Sequence, residues 1–364
     1  MGSPATDLDT PRLMLDIVRL DRNIQRMAAL AAEAGVTLRP HAKTHKLIQV
    51  AERQLAAGCS GLTVAKLGEA ELFAGHGIDD LFIAYPVWGE SKWERLCDLA
   101  QTAHIRVGAD SEEVFSGISR AAAARGLVIA VRIEVDTGFG RCGVQSPEQA
   151  LALARRIDGL PGVRLAGLMS FGGQTYRAPA EGRRAAALED AARLVAAAEL
   201  LREHGFEVPE VSVGSTPSAA YAHEMQGVTE LRPGTYVFSD RDQAGLGWGT
   251  LDGCALTVAA TVVSRPTPTR AIIDAGTKTL SGDRAATAEG WGDVRGHPGW
   301  TIESLSEEHG VLSVPGGAGP AIGDRLEIIP NHACAALNLH DEVTVVRDGA
   351  VEDVWSVEGR GLVR

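Results

Sequence analysis

The stretch LTVAKLGEAELFAGHGIDDLFIAY, residues 62–85, decides the fold class. Its first apolar run (62–65) carries β-branched residues and reads as a buried strand. The Ala/Leu/Glu-rich segment after it (66–75) reads as a helix, and the second apolar run (81–85) as the next strand. Strand, helix and strand in so short a span imply parallel pairing through a crossover.

Working outward, the same unit recurs. Strands are predicted at 36–40, 105–109, 128–135, 163–171, 211–214 and 231–237, which with the first two makes eight. Helices are predicted between them at 46–57, 91–103, 111–125, 147–157 and 181–204, the last Ala-rich and stopped by Gly205. Eight strand–helix units over roughly 210 residues match a TIM (β/α)8 barrel. A doubly wound open sheet is the main alternative, and the count of eight favours the barrel. Beyond residue 250 the texture changes. Segments 256–264, 270–276, 309–314, 324–330 and 342–357 read as strands joined by Gly/Pro turns, with no long helix among them. The segment RLMLDI (12–17) is short enough to join them. The expected organisation is a barrel over 18–250 and an all-β domain built from 1–17 and 251–364.

Composition excludes several function classes. Asp and Glu number 47 against 35 Lys and Arg, a net charge of −12 with no basic block, which argues against nucleic acid or an anionic membrane as partner. No apolar run reaches the roughly 18 residues of a membrane span, and residues 1–10 lack the apolar core of a signal peptide. A cytoplasmic protein is expected. The five cysteines (Cys59, Cys97, Cys142, Cys254 and Cys334) are scattered without a C-x-x-C pair, which speaks against a disulfide framework.

In a barrel of this kind, chemistry belongs where strands end and loops begin. The first strand runs into RPHAKTHK (39–46), and Lys43, just past its end, is placed for a Schiff-base lysine; a solvated basic turn is the plainer reading. The fifth leads to DTGFGRCG (136–143), a glycine loop with Arg141 that either passes close to a ligand or is an ordinary turn. The sixth leads to SFGGQTY (170–176). The seventh leads to GSTPS (214–218), a glycine and hydroxyls opening a helix, which is the chemistry of an anion site. The eighth supplies RPGTY (232–236), a second glycine–hydroxyl pair, and phosphate sites in such barrels gather near strands seven and eight. In the β domain, PNHAC (330–334) puts His332 and Cys334 at i and i+2, which face the same side of an extended chain. Imidazole with thiolate favours Zn²⁺ over hard cations, and two ligands leave positions open for water or substrate. A buried cysteine beside an unrelated histidine is the alternative. His309 and Asp274 either orient a ligand or serve caps and turns.

Taken together, PHAKTHK (40–46), DTGFGRCG (136–143), GSTPS (214–218), RPGTY (232–236), IDAGTK (273–278), EEHG (307–310) and PNHAC (330–334) span nearly the whole chain. In that order they resemble the fold-type III, alanine-racemase-like pyridoxal phosphate enzymes, in particular the D-serine dehydratase and D-threonine aldolase group. The resemblance implies that Lys43, rather than Lys46, holds the cofactor. It implies that Gly214, Ser215 and Thr216, with Gly234, Thr235 and Tyr236, surround its phosphate. Arg141 is expected near its phenolic oxygen, Tyr176 near its pyridine nitrogen, and His332 with Cys334 on the metal; Arg232 matches a cofactor-side strand with no assigned contact.

The implied substrate is a small D-3-hydroxy amino acid. The implied metal is Zn²⁺, with Mn²⁺ or another divalent cation as alternative, and the implied assembly is a homodimer. Two lyase reactions fit: dehydration to a 2-oxo acid and ammonia, or retro-aldol cleavage to glycine and an aldehyde. The H-x-C form of the metal motif resembles the dehydratases, whereas H-x-D is typical of the aldolases, so a D-serine-dehydratase-like lyase is expected first. A pyridoxal phosphate carrier without turnover is a lesser alternative, because such carriers usually lack the β domain.

Overall fold

The computed structural model describes residues 8–316 and 319–364. The chain forms two compact units: residues 27–43, 50–234 and 362–364 make one, and 1–26, 44–49 and 235–361 the other. By this division residues 235–250 belong with the C-terminal sheet, whereas the sequence pattern draws the boundary at 250.

After β1 (Arg12–Asp16) come the eight expected barrel strands: β2 (Thr37–Leu38), β3 (Leu62–Val64), β4 (Asp80–Ile83), β5 (His104–Ala109), β6 (Ile129–Glu134), β7 (Val163–Met169), β8 (Glu210–Val213) and β9 (Glu230–Leu231). They pair in parallel in the order β2-β9-β8-β7-β6-β5-β4-β3. The ends meet: His41 and Thr63 form a parallel bridge, and Ser60 N and Thr63 N donate to Leu38 O and Pro40 O at 2.9 and 2.8 Å. The strands are short and apolar because both faces are covered; Leu81, Phe82 and Ile83 are all fully buried. The last strand is shorter than the expected 231–237. It stops at Leu231, and after Pro233 and Gly234 the chain turns into a 3₁₀ helix, Thr235–Val237.

Where the strands begin, the interior holds charge. Arg39 Nε meets Glu230 (2.8 Å) and its Nη1 meets Asp80 (2.7 Å); Asp80 meets Arg106 (2.6 Å), and Arg106 meets Glu210 (2.9 Å). Glu210 meets Arg132 (2.8 Å), and Arg132 returns to Glu230 (2.5 Å). Three guanidiniums and three carboxylates thus alternate in a closed ring drawn from six strands or strand ends. Arg39, Arg132 and Glu230 are buried, while Asp80, Arg106 and Glu210 reach solvent. None of this is legible in the strand pattern, where these positions read as polar interruptions.

The second unit holds an antiparallel sheet. Its strands are β10 (Leu256–Thr267), β11 (Arg270–Ile273), β12 (Asp293–Val294), β13 (Thr301–Leu305), β14 (Gly310–Ser313), β15 (Arg325–Ile329), β16 (Glu342–Arg347) and β17 (Ala350–Ser356). The order is β13-β14-β11-β10-β1-β16-β17, with β15 against β10 and β12 against β15. β1 joins it as expected, antiparallel to β10 (Leu13 opposite Val258) and parallel to β16 (Met14 opposite Thr344). The run 342–357 is two strands folded at Asp348-Gly349. β12 and β13 lie outside the predicted strands, because Gly, Trp and Pro around them break the alternation. Among the described residues no helix is long and apolar enough to cross a membrane.

The charge ring makes a prediction. Burial would raise the Glu230 carboxyl, but Arg132, Arg39 and the Ser212 hydroxyl outweigh it and hold the group well below the ordinary glutamate range. Its contribution is therefore fully present above the unfolded carboxyl pKa and is lost as pH falls below it. Glu230→Gln, which takes from Arg39 and Arg132 one of the two carboxylates each touches, is expected to lower stability by about 3–5 kcal/mol near neutral pH, and by less near pH 3. Urea unfolding at both pH values checks this; an equal loss at both would refute the assignment.

Candidate active site

Lys43 follows β2 in a single 3₁₀ turn, Ala42–Thr44, and its side chain is exposed. Its Nζ lies 5.8 Å from the centroid of the Phe171 ring. The Arg141 guanidinium lies 4.7 Å from the same centroid and 3.6 Å from Glu134. Phe139 packs edge-on against Phe171 at 5.1 Å. Phe171 is thus an aromatic plate near both cations, and it brings the loops after β6 and β7 to the lysine's side of the barrel. Lys46, the alternative lysine, is buried, and its Nζ donates to Asn338 Oδ1 at 3.0 Å.

The glycine loop after β6 folds around its own acid. Asp136 Oδ1 accepts from the N–H groups of Gly138, Phe139 and Gly140 at 3.0, 3.0 and 3.1 Å. Those amides are therefore committed locally, and Arg141 is the group this loop offers outward. Burial pushes the neighbouring Glu134 carboxyl up, against the opposing pull of Arg141 and Arg232. Tyr176 is half-buried in a short helix, Gln174–Arg177.

At the end of β8, Gly214 lies against the next strand end: a Cβ there would stand 2.8 Å from Arg232 Cβ. Only glycine fits that backbone approach. Ser215 caps the short helix Thr216–Ala219, its Oγ accepting from Ser218 N at 3.2 Å. Ser215, Thr216 and Ser218 are all buried, so three hydroxyls gather at one turn. Arg232 is fully enclosed and donates to Ser212 Oγ (2.5 Å) and Ser170 O (2.6 Å); burial lowers its pKa to about 10. Tyr236 is fully buried.

In the second unit, His332 and Cys334 do face each other, but not on an extended strand. His332 caps a short helix, Ala333–Leu337, with φ −135° and ψ 103°, and Cys334 sits in its first turn. Asp283 contacts His332 Nδ1 at 2.6 Å, which fixes the ring and directs Nε2 to the other side. The Cys334 sulfur lies 3.3 Å from Thr44 Oγ1 and 3.6 Å from Thr235 Oγ1. Thr235, expected near a phosphate, thus has its hydroxyl beside the thiol. Burial would raise the Cys334 thiol, but His332 and the two hydroxyls hold it below the ordinary range; the His332 imidazole is raised against burial by Cys334, Asp240 and Asp283. A thiol held below its ordinary range beside an oriented imidazole is a donor pair suited to a borderline-soft cation. Among the described residues, no group of three or more His, Cys, Asp or Glu side chains is placed to hold a metal.

Three supporting residues escape sequence reasoning. Asp283 lies in a loop 49 positions from His332, with no pattern to link them. Asn331, the residue before His332, fastens that loop: its Nδ2 donates to Asp283 O and Gly290 O at 3.1 and 2.9 Å, and its Oδ1 accepts from Gly292 N at 3.0 Å. Asp240, fully buried, accepts from Ala333 N (2.9 Å) and Gln243 N (2.8 Å) and so holds the start of the Cys334 helix. Burial pushes its carboxyl up to about 6.

Comparisons with known proteins agree with this layout. Residues 15–242 match the family model "Alanine racemase, N-terminal domain", and residues 255–346 match "Putative serine dehydratase domain". A D-threonine aldolase of Arthrobacter sp is 40% identical, covering 100% of this chain and 96% of its own. A D-threo-3-hydroxyaspartate dehydratase of Delftia sp. (strain HT23) is 38% identical over 90% of this chain and 91% of its own. In structure, a D-threonine aldolase from Filomicrobium marinum superimposes with a TM-score of 0.93 at 34% identity, covering 100% of this chain and 99% of its own. Solved structures of a D-threo-3-hydroxyaspartate dehydratase include a histidine-to-alanine mutant and, two positions on, a cysteine-to-alanine mutant in the metal-free form. The latter has a TM-score of 0.91 at 35% identity and covers 97% of this chain and 98% of its own.

Asp240→Ala is expected to leave two buried N–H groups unpaired and to cost on the order of 2–4 kcal/mol. Asp240→Asn, which keeps an acceptor, should cost markedly less. Chemical denaturation of the two variants side by side checks this, and equal stability of Asp240→Ala and the parent would show that the helix start holds without the carboxylate.

Proposed function

The chain belongs to the alanine-racemase-like, fold-type III family of pyridoxal phosphate enzymes, in the branch that adds a serine-dehydratase-type domain to the barrel, and we propose that it is a metal-dependent lyase acting on D-3-hydroxy amino acids, first of all by dehydration. The observation that carries this reading is the facing pair His332–Cys334 with Asp283 behind the imidazole. Its spacing, histidine and cysteine two positions apart, is the same as that of the pair replaced in the D-threo-3-hydroxyaspartate dehydratase mutants, which supports the reading.

The residues suit the cofactor. Lys43 offers an exposed amine beyond a strand end, Arg141 lies over the same aromatic plate, and Gly214 leaves bare backbone next to a turn with three buried hydroxyls. Lys43, Arg141, Tyr176, Gly214, Ser215, Thr216 and Gly234 would hold it; for Thr235 and Tyr236 the expectation rests on the family resemblance alone. When bound, pyridoxal phosphate supplies an electron sink for charge developing at the substrate α-carbon. His332 and Cys334 would hold Zn²⁺, whose chemistry is Lewis-acid polarisation of oxygen. Lys43 Nζ is the base that takes the α-proton. Arg141 keeps a positive charge beside the ring plane, and Asp283 keeps the His332 ring from turning. Loss of the α-proton and the β-hydroxyl gives, after hydrolysis, a 2-oxo acid and ammonia.

Retro-aldol cleavage is the second reading, favoured by the 40% identical Arthrobacter relative and the Filomicrobium structure, both D-threonine aldolases. There a base takes the β-hydroxyl proton, the Cα–Cβ bond breaks, and glycine and an aldehyde result. The assembly expected from the family resemblance is a homodimer, which sedimentation measures.

D-threonine separates the two reactions. With cofactor and Zn²⁺ loaded, dehydration yields 2-oxobutanoate and ammonia, while glycine and acetaldehyde would overturn the dehydratase reading in favour of the aldolase one. Cys334→Ala is expected to lose stoichiometric zinc while keeping the absorbance of Lys43-bound cofactor; zinc retained at one per chain would remove Cys334 from the site. Asp283→Ala should weaken zinc binding by about 10–100-fold, measured by competition with a chromogenic chelator.

A further inference from the structure

We propose that Asp190 is a positioning residue for the cofactor-facing loops: its buried carboxyl holds Thr137, in the loop that carries Arg141, and packs against Gly172, in the loop that carries Phe171 and Tyr176. The inference rests on the proposed function and deepens it.

Asp190 lies on the long helix Arg183–Glu203 and is fully buried, unusual for a carboxylate with no cation in direct contact. One oxygen accepts from the Thr137 hydroxyl. The other has no hydrogen-bond partner and faces Gly172, where a Cβ would stand 2.6 Å from Oδ2, so the acid and a side chain at 172 cannot both occupy this space. The Ser170 hydroxyl lies next to the same carboxylate without a well-aligned hydrogen bond, and the Ser170 carbonyl accepts from Arg232.

The two loops touch each other on the far side as well. Gln174 Nε2 donates to Thr137 O at 3.4 Å, and Phe139 packs on Phe171. The carboxylate thus sets the spacing between Thr137 and Gly172. That spacing sets where Phe171 lies beneath the Arg141 guanidinium and near Lys43 Nζ. Burial pushes the Asp190 carboxyl up, and an apolar residue would fill this space without burying polar atoms, so an acid here points to geometry at the site rather than to stability.

The test uses full-length holoenzyme and a double-mutant cycle. Asp190→Leu and Thr137→Val each remove the Thr137–Asp190 hydrogen bond while keeping the branching of the side chain. Arg141→Ala removes the group through which the contact acts. Asp190→Leu is expected to fold, to bind cofactor, to shift the visible circular dichroism of bound pyridoxal phosphate, and to lower kcat by roughly 10–100-fold with KM changed less than threefold. In the Arg141→Ala background the same replacement should change kcat by less than threefold, and the dichroism should not shift again. Asp190→Asn, which keeps an acceptor for the Thr137 hydroxyl, and Thr137→Ser, which keeps the hydroxyl, should both stay close to the parent. Full additivity with Arg141→Ala, or an unchanged cofactor spectrum in Asp190→Leu, would overturn the proposal. If Asp190→Leu does not fold, Thr137→Val decides by the same two readouts. A parent chain that binds no pyridoxal phosphate would instead refute the proposed function, a separate result because it precedes any variant.

Discussion

Three arginines and three carboxylates close a ring where the barrel strands begin, and much of the fold depends on it. Arg39, Asp80, Arg106, Glu210, Arg132 and Glu230 come from β2, β4, β5, β6, β8 and β9 or their ends, each group touching two neighbours. A lone buried charge would be ruinous, but charges that alternate in a ring leave no buried guanidinium or carboxylate without a counter-ion. The cost is conditional stability, since losing one member exposes two others. The benefit is register: the ring is satisfied only when the six strands stand at the right heights around the barrel. With the strand beginnings fixed in this way, the loops at the opposite ends are free to carry chemistry.

Those loops are not left to themselves. The Asp136 carboxylate gathers three amides of its own turn, which fixes the course of the glycine loop. Phe171 and Phe139 interlock the two loops, and the Phe171 centroid lies 4.7 Å from the Arg141 guanidinium and 5.8 Å from Lys43 Nζ. Contacts of this kind position loop side chains through the protein's own packing. In the second unit, the Cys334 thiol is similarly prepared by His332 and two threonine hydroxyls.

How much of this is legible in sequence depends on the distance over which each feature is encoded. All eight barrel strands and the N-terminal strand lie where short apolar runs place them, because a strand covered on both faces must be apolar along its length. The motif residues Lys43, Arg141, Gly214, His332 and Cys334 stand out for their chemistry. Asp283, Asp240, Asp190 and the charge ring do not, because each acts across the fold on a partner with no sequence pattern to link them. The local geometry of PNHAC also escaped, for a specific reason. The sequence reading has an extended chain here, whereas the Asp240 carboxylate captures Ala333 N and the chain turns into a helix, Ala333–Leu337.

That early turn bears on the choice of metal ligand. On an extended strand, positions i and i+2 present side chains in parallel, and a carboxylate or a thiol would serve alike. At the mouth of a helix, His332 is held by Asp283 from behind, and Cys334 projects from the first turn toward the Thr44 and Thr235 hydroxyls. A sulfur in that position has two hydroxyls and an imidazole as neighbours, which hold its thiol below the ordinary range against burial. For the proposed metal site this makes a softer donor than a carboxylate would be, and Asp240 creates the helix start that presents it.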